Sequence, residues 1–223
     1  MTELQEKIRE FHCRVQECKN LPTDAYLLRG FFKNLIEMHW ENGANHGRYQ
    51  GQLGCYKIRT KENPKGDLTI KMNYEDDPQN PNPVPSIIIV AGNTSIQKQV
   101  IGNLADFRAD PKTDNKLPSK TQIKGWMASC PMIFSHRWDN GEDALIAAQS
   151  TLEFLAGFQD DIMKTMGLSL CEPKGMSTPK KPEQGVTGYY QVDVGLDLQY
   201  NFTMSVASES HIVKTFASDL TAE

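Results

Sequence analysis

The chain has 223 residues, of which 39% are apolar and 23% charged, enough for an ordinary buried core in one large domain or one domain with appendages. No apolar run approaches the ~18 residues needed to cross a bilayer, and the opening MTELQEKIREF is charged and amphipathic where a signal peptide is apolar, so a cytosolic protein without membrane contact is expected. The net charge is only −4, yet residues 186–223 set Asp193, Asp197, Glu209, Asp219 and Glu223 against Lys214 alone, and no cluster of Lys and Arg with interleaved aromatics argues for gripping nucleic acid.

In chain order, Leu4, Ile8, Phe11, Val15 and Cys18 recur at spacings of four and three, predicting an amphipathic helix over Glu3–Lys19 that stops before Asn20-Leu21-Pro22. Thr23 or Asp24 can cap a second helix, whose apolar positions run through Leu27, Phe31, Leu35 and Met38 until Asn42-Gly43 ends it. The two read as an αα-hairpin, a peripheral module over residues 1–45 beside a core domain over 46–223. Strands are expected at Gln52–Thr60 and Asp67–Tyr74, joined by the turn residues Glu62-Asn63-Pro64-Lys65-Gly66 as an antiparallel hairpin.

Residues 75–85 are acidic and proline-rich and should cross the surface as an extended connector. Ser86–Ala91 (SIIIVA) has no polar side and reads as a strand buried on both faces, while Asp110–Asn115 with Pro118 reads as an exposed loop. Thr121–His136 alternates as a strand with Trp126, Ala128, Cys130, Met132 and Phe134 on one face, and Pro131 implies an edge or a bulge. The period then changes: Asp139 or Asn140 can cap one helix of roughly 25 residues, 140–166, with Leu145, Ala148, Leu152, Leu155, Phe158, Ile162 and Met166 on its apolar side and Gly167 closing it. A short strand Leu168–Cys171 and a Pro/Gly/Lys loop, Pro173–Gly185, follow.

From Tyr190 to Val206 every even position is apolar and every odd one polar or glycine, which predicts one strand with a dry and a wet face. At ~3.3 Å per residue it extends roughly 56 Å, beyond an ordinary sheet. Its dry face, with Leu196 and Leu198, should pack against Leu152 and Leu155 of the long helix, because each is the most apolar surface in its half of the chain. Its wet face carries Gln191, Asp193, Asp197, Gln199 and Asn201, two acids and no base.

Little in the chain speaks for catalysis. Ser135, His136, Asp139, Glu142 and Asp143 crowd a strand-to-helix junction and offer one acid/base or metal alternative, a metal-assisted hydrolase centred on His136 and Asp139. Acids in a first helical turn are expected from capping and the helix dipole, and that is the stronger reading. His12, Cys13 and Cys18 lack metal-ligand spacing, His39 and His46 have no partners at ligand spacing, and the five cysteines include no CxxC pair, so free thiols and no metal are expected. There is no Walker A, GxGxxG or GxSxG sequence, and no cofactor is expected. Lys180-Lys181 reads as a solvated pair, and Tyr190, Tyr200 and Phe202 as core.

The order over residues 85–218, namely strand SIIIVA, strand WMASCPMIFSHRW, helix NGEDALIAAQSTLEFLAGFQDDIMKTM, strand GLSL, loop and long strand YYQVDVGLDLQYNFTMSV, resembles the tail-terminator and tail-completion proteins of tailed bacteriophages. The helix TDAYLLRGFFKNLIEMHW resembles that family's opening helix. The resemblance implies a small α+β protein, on which residues 1–20 and the hairpin near residues 52–74 are elaborations; with the patterns above, the expected fold is α+β, mainly antiparallel, with a long helix packed on one face and a peripheral N-terminal helical hairpin. The resemblance also implies a non-enzymatic virion protein, made in the host bacterial cytoplasm. Such a protein forms a homo-oligomeric ring, hexameric by analogy, between the tail tube protein and the head connector or neck protein. DNA would pass through the ring without specific binding, past a face bearing Asp193, Asp197 and Asn201. Another connector or a baseplate subunit is the nearest structural alternative.

Overall fold

A computed structural model of the chain describes residues 25–73, 84–97, 121–181 and 188–207. The helix expected over Glu3–Lys19, the caps Thr23 and Asp24, most of the proline-rich connector and the loop around residues 110–118 lie outside these residues. The described chain is an α+β fold built on a six-stranded sheet of order β1-β2-β4-β6-β5, with β3 also pairing with β4. In chain order the elements are helix α1 (Ala25–Glu41), a run of 3₁₀ turns (Gly43–Tyr49), short helix α2 (Gln50–Leu53), strands β1 (Thr69–Met72), β2 (Ser86–Ala91), β3 (Ser95–Gln97) and β4 (Thr121–Trp138), helices α3 (Gly141–Gly157) and α4 (Gln159–Met166), and strands β5 (Leu168–Met176) and β6 (Tyr190–Ala207).

Alternation makes β6 the spine of the sheet. It pairs antiparallel with β4 without a register shift from Trp138↔Tyr190 to Thr121↔Ala207. Val192, Val194, Leu196, Leu198 and Tyr200 are buried, the odd positions from Gln191 to Gln199 are half-buried, and Asn201 is exposed. β5 flanks β6 only from Val194 to Tyr200, and β2 and β3 flank β4 only between Met127 and Arg137. Past Met127 and Tyr200, toward Thr121 and Ala207, β4 and β6 have only each other as strand partners among the described residues, and form a two-stranded arm.

The dry face is roofed by helices. Ala144, Ala147, Ala148 and Leu155 of α3 share one packed cluster with Ala128, Cys130, Met132, Phe134 and Trp138 of β4 and the even positions of β6 from Val192 to Tyr200, and Leu152 packs against it partly buried. The 140–166 helix is not continuous: Phe158 (φ −106°, ψ 10°) interrupts it beside Gly157, and its half-buried ring packs against Phe154 at 5.0 Å. Gly157 is a weak helix former, and the break lets α4 turn onto β5 while α3 crosses β4, β5 and β6. Asn140 caps α3 by accepting from the Glu142 N–H at 2.8 Å, and left-handed Gly167 (φ 62°) ends α4.

The expected peripheral module is not peripheral over its described part. Leu28, Phe31, Phe32, Leu35, Ile36 and Trp40 of α1 lie in that same cluster, and Phe32 meets Phe134 of β4 edge-on at 5.9 Å. The antiparallel hairpin at residues 52–74 is also replaced. Gln50–Leu53 is helical, Ile58 makes a single parallel bridge to Leu68, and β1 pairs parallel with β2 from Thr69↔Ser86 to Met72↔Ile89. The connector between them is long enough to return the chain to the same end of the sheet, which parallel pairing requires. Ile87 and Ile89 enter the main core, whereas Ile88 is buried on the opposite face, as a strand dry on both sides should be. β5 runs through Pro173 to Met176 because it is an edge strand with register shifts, a place where proline's missing N–H costs no ladder bond.

Candidate functional site

Two groups of polar side chains stand out, one on each side of the sheet. On the open face, Asp193 is held by its neighbours rather than merely solvated. Ser135 Oγ donates to its Oδ1 at 2.6 Å and Gln191 Nε2 at 2.8 Å, while its own N–H donates to Ser177 Oγ at 3.0 Å. Arg137 Nε donates to Gln191 Oε1 at 3.3 Å, and its guanidinium lies 5.3 Å from the centre of the Tyr189 ring. Asp197 is reached by Lys174 Nζ at 3.4 Å, which also meets Glu172 at 2.7 Å. Hydrogen bonding to Glu172, then the charges of Glu172 and Asp197, raises the Lys174 ammonium above its ordinary value. The strand's own residues are two acids and no base, but pairing brings Lys71, Arg137 and Lys174 to the same face as Glu172, Asp193 and Asp197. Among the described residues the charges of this face are therefore close to balance, beside the buried Ile88 and the exposed Ile133.

The second group is buried under the helices. Ser150 Oγ of α3 lies 3.2 Å from His39 Nε2 of α1 and 3.1 Å from His46 Nδ1 of the 3₁₀ run. The two imidazoles are 4.7 Å apart, and His39 stacks on Phe154 at 4.2 Å. His136 of β4, fully buried, completes the set and stacks with Trp138 at 5.7 Å. Neither of its ring nitrogens has a hydrogen-bond partner, nor do His39 Nδ1 and Thr151 Oγ1. Burial pushes His46 down to about 4 and His136 to about 3, while burial and then the neighbouring His46 and His136 hold His39 well below the ordinary value. All three rings are neutral at neutral pH.

His136 and Asp139 do not form the centre that a hydrolase reading needs. His136 points into the core, Asp139 is exposed in the turn, and among the described residues no three His, Cys, Asp or Glu side chains are placed to hold a metal ion. Glu142 and Asp143 occupy the first turn of α3, where Asn140 Nδ2 reaches Asp143 Oδ2 at 3.4 Å. Cys55, Cys130 and Cys171 are free thiols, and burial pushes Cys171 up to about 12, far from a thiolate nucleophile at neutral pH. Lys180 bridges Gln191 through its backbone, Lys181 lies 5.5 Å from the centre of the Tyr190 ring, and Tyr200 is core.

Sequence reasoning missed His39, His46 and Ser150 as a unit because more than a hundred residues separate the serine from either ring. A signal was present. His39 continues the inward spacing of Phe32, Leu35 and Ile36, and Thr151 continues that of Ala144, Ala147 and Ala148, so polar residues stand where a helix faces the core. Comparison with models of known protein families gives no match, and no curated protein is significantly similar to the chain.

Proposed function

We propose that this chain is a structural, non-enzymatic subunit of a ring at the head-proximal end of a tailed-bacteriophage tail, joining tail tube to head connector while DNA passes. The observation that carries the reading is the long β4–β6 ladder, which outruns β2, β3 and β5 and leaves a two-stranded arm. Strand edges left at such an arm favour pairing with another copy of the chain. The open face supports the same reading, since balanced charge gives phosphates little to hold. The test is mass and shape: native mass spectrometry with negative-stain microscopy of the purified chain from micromolar to millimolar concentration should find a closed annular oligomer, six copies by analogy. A monomer throughout that range, with no annular particles, overturns the reading.

A further inference from the structure

We propose that the segment Gly43–Gly54 is an acid-operated latch, docked on α3 through the buried His39–His46–Ser150 contact at neutral pH and released as a unit in acid while the β4–β6 ladder stays paired. The segment is shaped to move together. A Cβ at Gly43 would lie 3.1 Å from the Gly54 Cα, so the two ends touch, and Gly47 (φ 54°) breaks the 3₁₀ run midway. A loop with closed ends can swing out without disturbing the chain on either side. A short set of contacts holds it: inside, His46 on Ser150, with its ring 4.4 Å from that of Trp40; at the end of α1, Asn45 Nδ2 donating to the carbonyls of Met38 at 3.1 Å and His39 at 3.3 Å; outside, Arg48 paired with Glu153 and the Tyr49 hydroxyl donating to the same carboxylate at 3.3 Å. Leu53 is its buried apolar anchor.

The groups facing His46 explain why acid opens the latch. α1 contributes His39, β4 adds His136 behind it, and α3 contributes the Ser150 hydroxyl. Among the described residues, no carboxylate forms an ion pair with any of the three histidines. A proton on one ring therefore places an uncompensated cation in a buried site, and a second proton adds repulsion across 4.7 Å. Undocking hydrates His46 and opens His39 to water. The sign follows: the docked loop binds fewer protons than the released one, so docking holds near neutral pH and weakens as pH falls below about 6.5 toward the depressed values. Protonation of Glu153, which Gln149 and then Arg48 hold below its ordinary range, loosens the outer clamp in the same direction.

Hydrogen exchange of the full chain between pH 7 and 4, corrected for intrinsic rates, should show residues 43–54 losing protection while Cys130–Trp138 and Tyr190–Tyr200 keep theirs. His46→Gln, which cannot take the proton, should move the opening midpoint down by about one pH unit or more. Three results overturn the proposal: protection of 43–54 unchanged down to pH 4, protection lost only together with the β4–β6 strands, or a His46→Gln midpoint equal to wild type. Should the variant fail to fold, NMR titration of the wild-type chain decides instead. The His46 imidazole should titrate together with the loop amides at the opening midpoint, and an independent titration near 6.5 with the loop amides unmoved overturns the latch.

Discussion

Leu155 and Leu196 meet the core from opposite sides, α3 above and β6 below, with 0% and 1% exposure. An aspartate at either position buries a charge with no partner, which costs several kcal/mol against a total stability of roughly 5 to 15. Leu155→Asp and Leu196→Asp should therefore abolish soluble expression, and a cooperatively melting variant of either would contradict the packing. The two acids of β6 on the open face separate in the same way. Asp197 has 42% side-chain exposure and its Lys174 partner is as open to water, so Asp197→Lys should cost less than about 1 kcal/mol even with the lysine opposite. Asp193→Lys strands the Ser135 and Gln191 donors and should cost about 1 to 3 kcal/mol. Urea titrations of the two variants check the contrast, and equal losses would refute it.

At the scale of elements, Pro131 shows how a local breaker is absorbed. Ala91 pairs with Met132 and Ser95 with Ser129, so residues 92–94 face only 130 and 131, a one-residue bulge that joins β2 to β3 where proline's N–H is missing. Gly92 N–H donates to the Pro131 carbonyl at 2.7 Å, and a Cβ at Gly92 would lie 2.8 Å from Pro131 Cγ. Gly92→Ala should lose about 1 to 3 kcal/mol, and Pro131→Ala in that background should restore part of it by removing Cγ; strictly additive losses in a denaturation double-mutant cycle would show that the two do not clash. The bulge was legible from proline's chemistry, as β6 was from its period of two and α3 from its three-and-four spacing. The parallel direction of β1 was not, because four residues carry no record of which way their partner runs. Nor was the break at Phe158, since the apolar spacing continues across it and only the fit of two helices to neighbouring strands requires it. The histidine cluster depends on contacts between α1, the 3₁₀ run, β4 and α3, which no local pattern encodes.

For the whole molecule, those three histidines tie stability to pH. Each has a native pKa below the ~6.5 of the unfolded chain, so from that value downward the unfolded state takes up protons that the native state refuses. Their contribution is fully present above about 6.5 and is lost progressively toward about 4 for His46 and about 3 for His136. One proton of difference is worth about 1.4 kcal/mol per pH unit, so the group as a whole can remove up to about 4 kcal/mol per unit, a large share of an ordinary domain's stability. Opening of the 43–54 loop hydrates His46 and moderates its part, but His136, on a central strand beneath α3, stays buried while the sheet holds. His136→Phe keeps an aromatic ring against Trp138 and removes both unpartnered nitrogens together with the proton site. Urea unfolding at pH 7 and pH 5 should then show a wild-type loss of several kcal/mol and, in His136→Phe, a loss smaller by about 1 to 2 kcal/mol. Identical pH dependence in the two proteins would mean that His136 titrates alike in the native and unfolded states, which is incompatible with its burial.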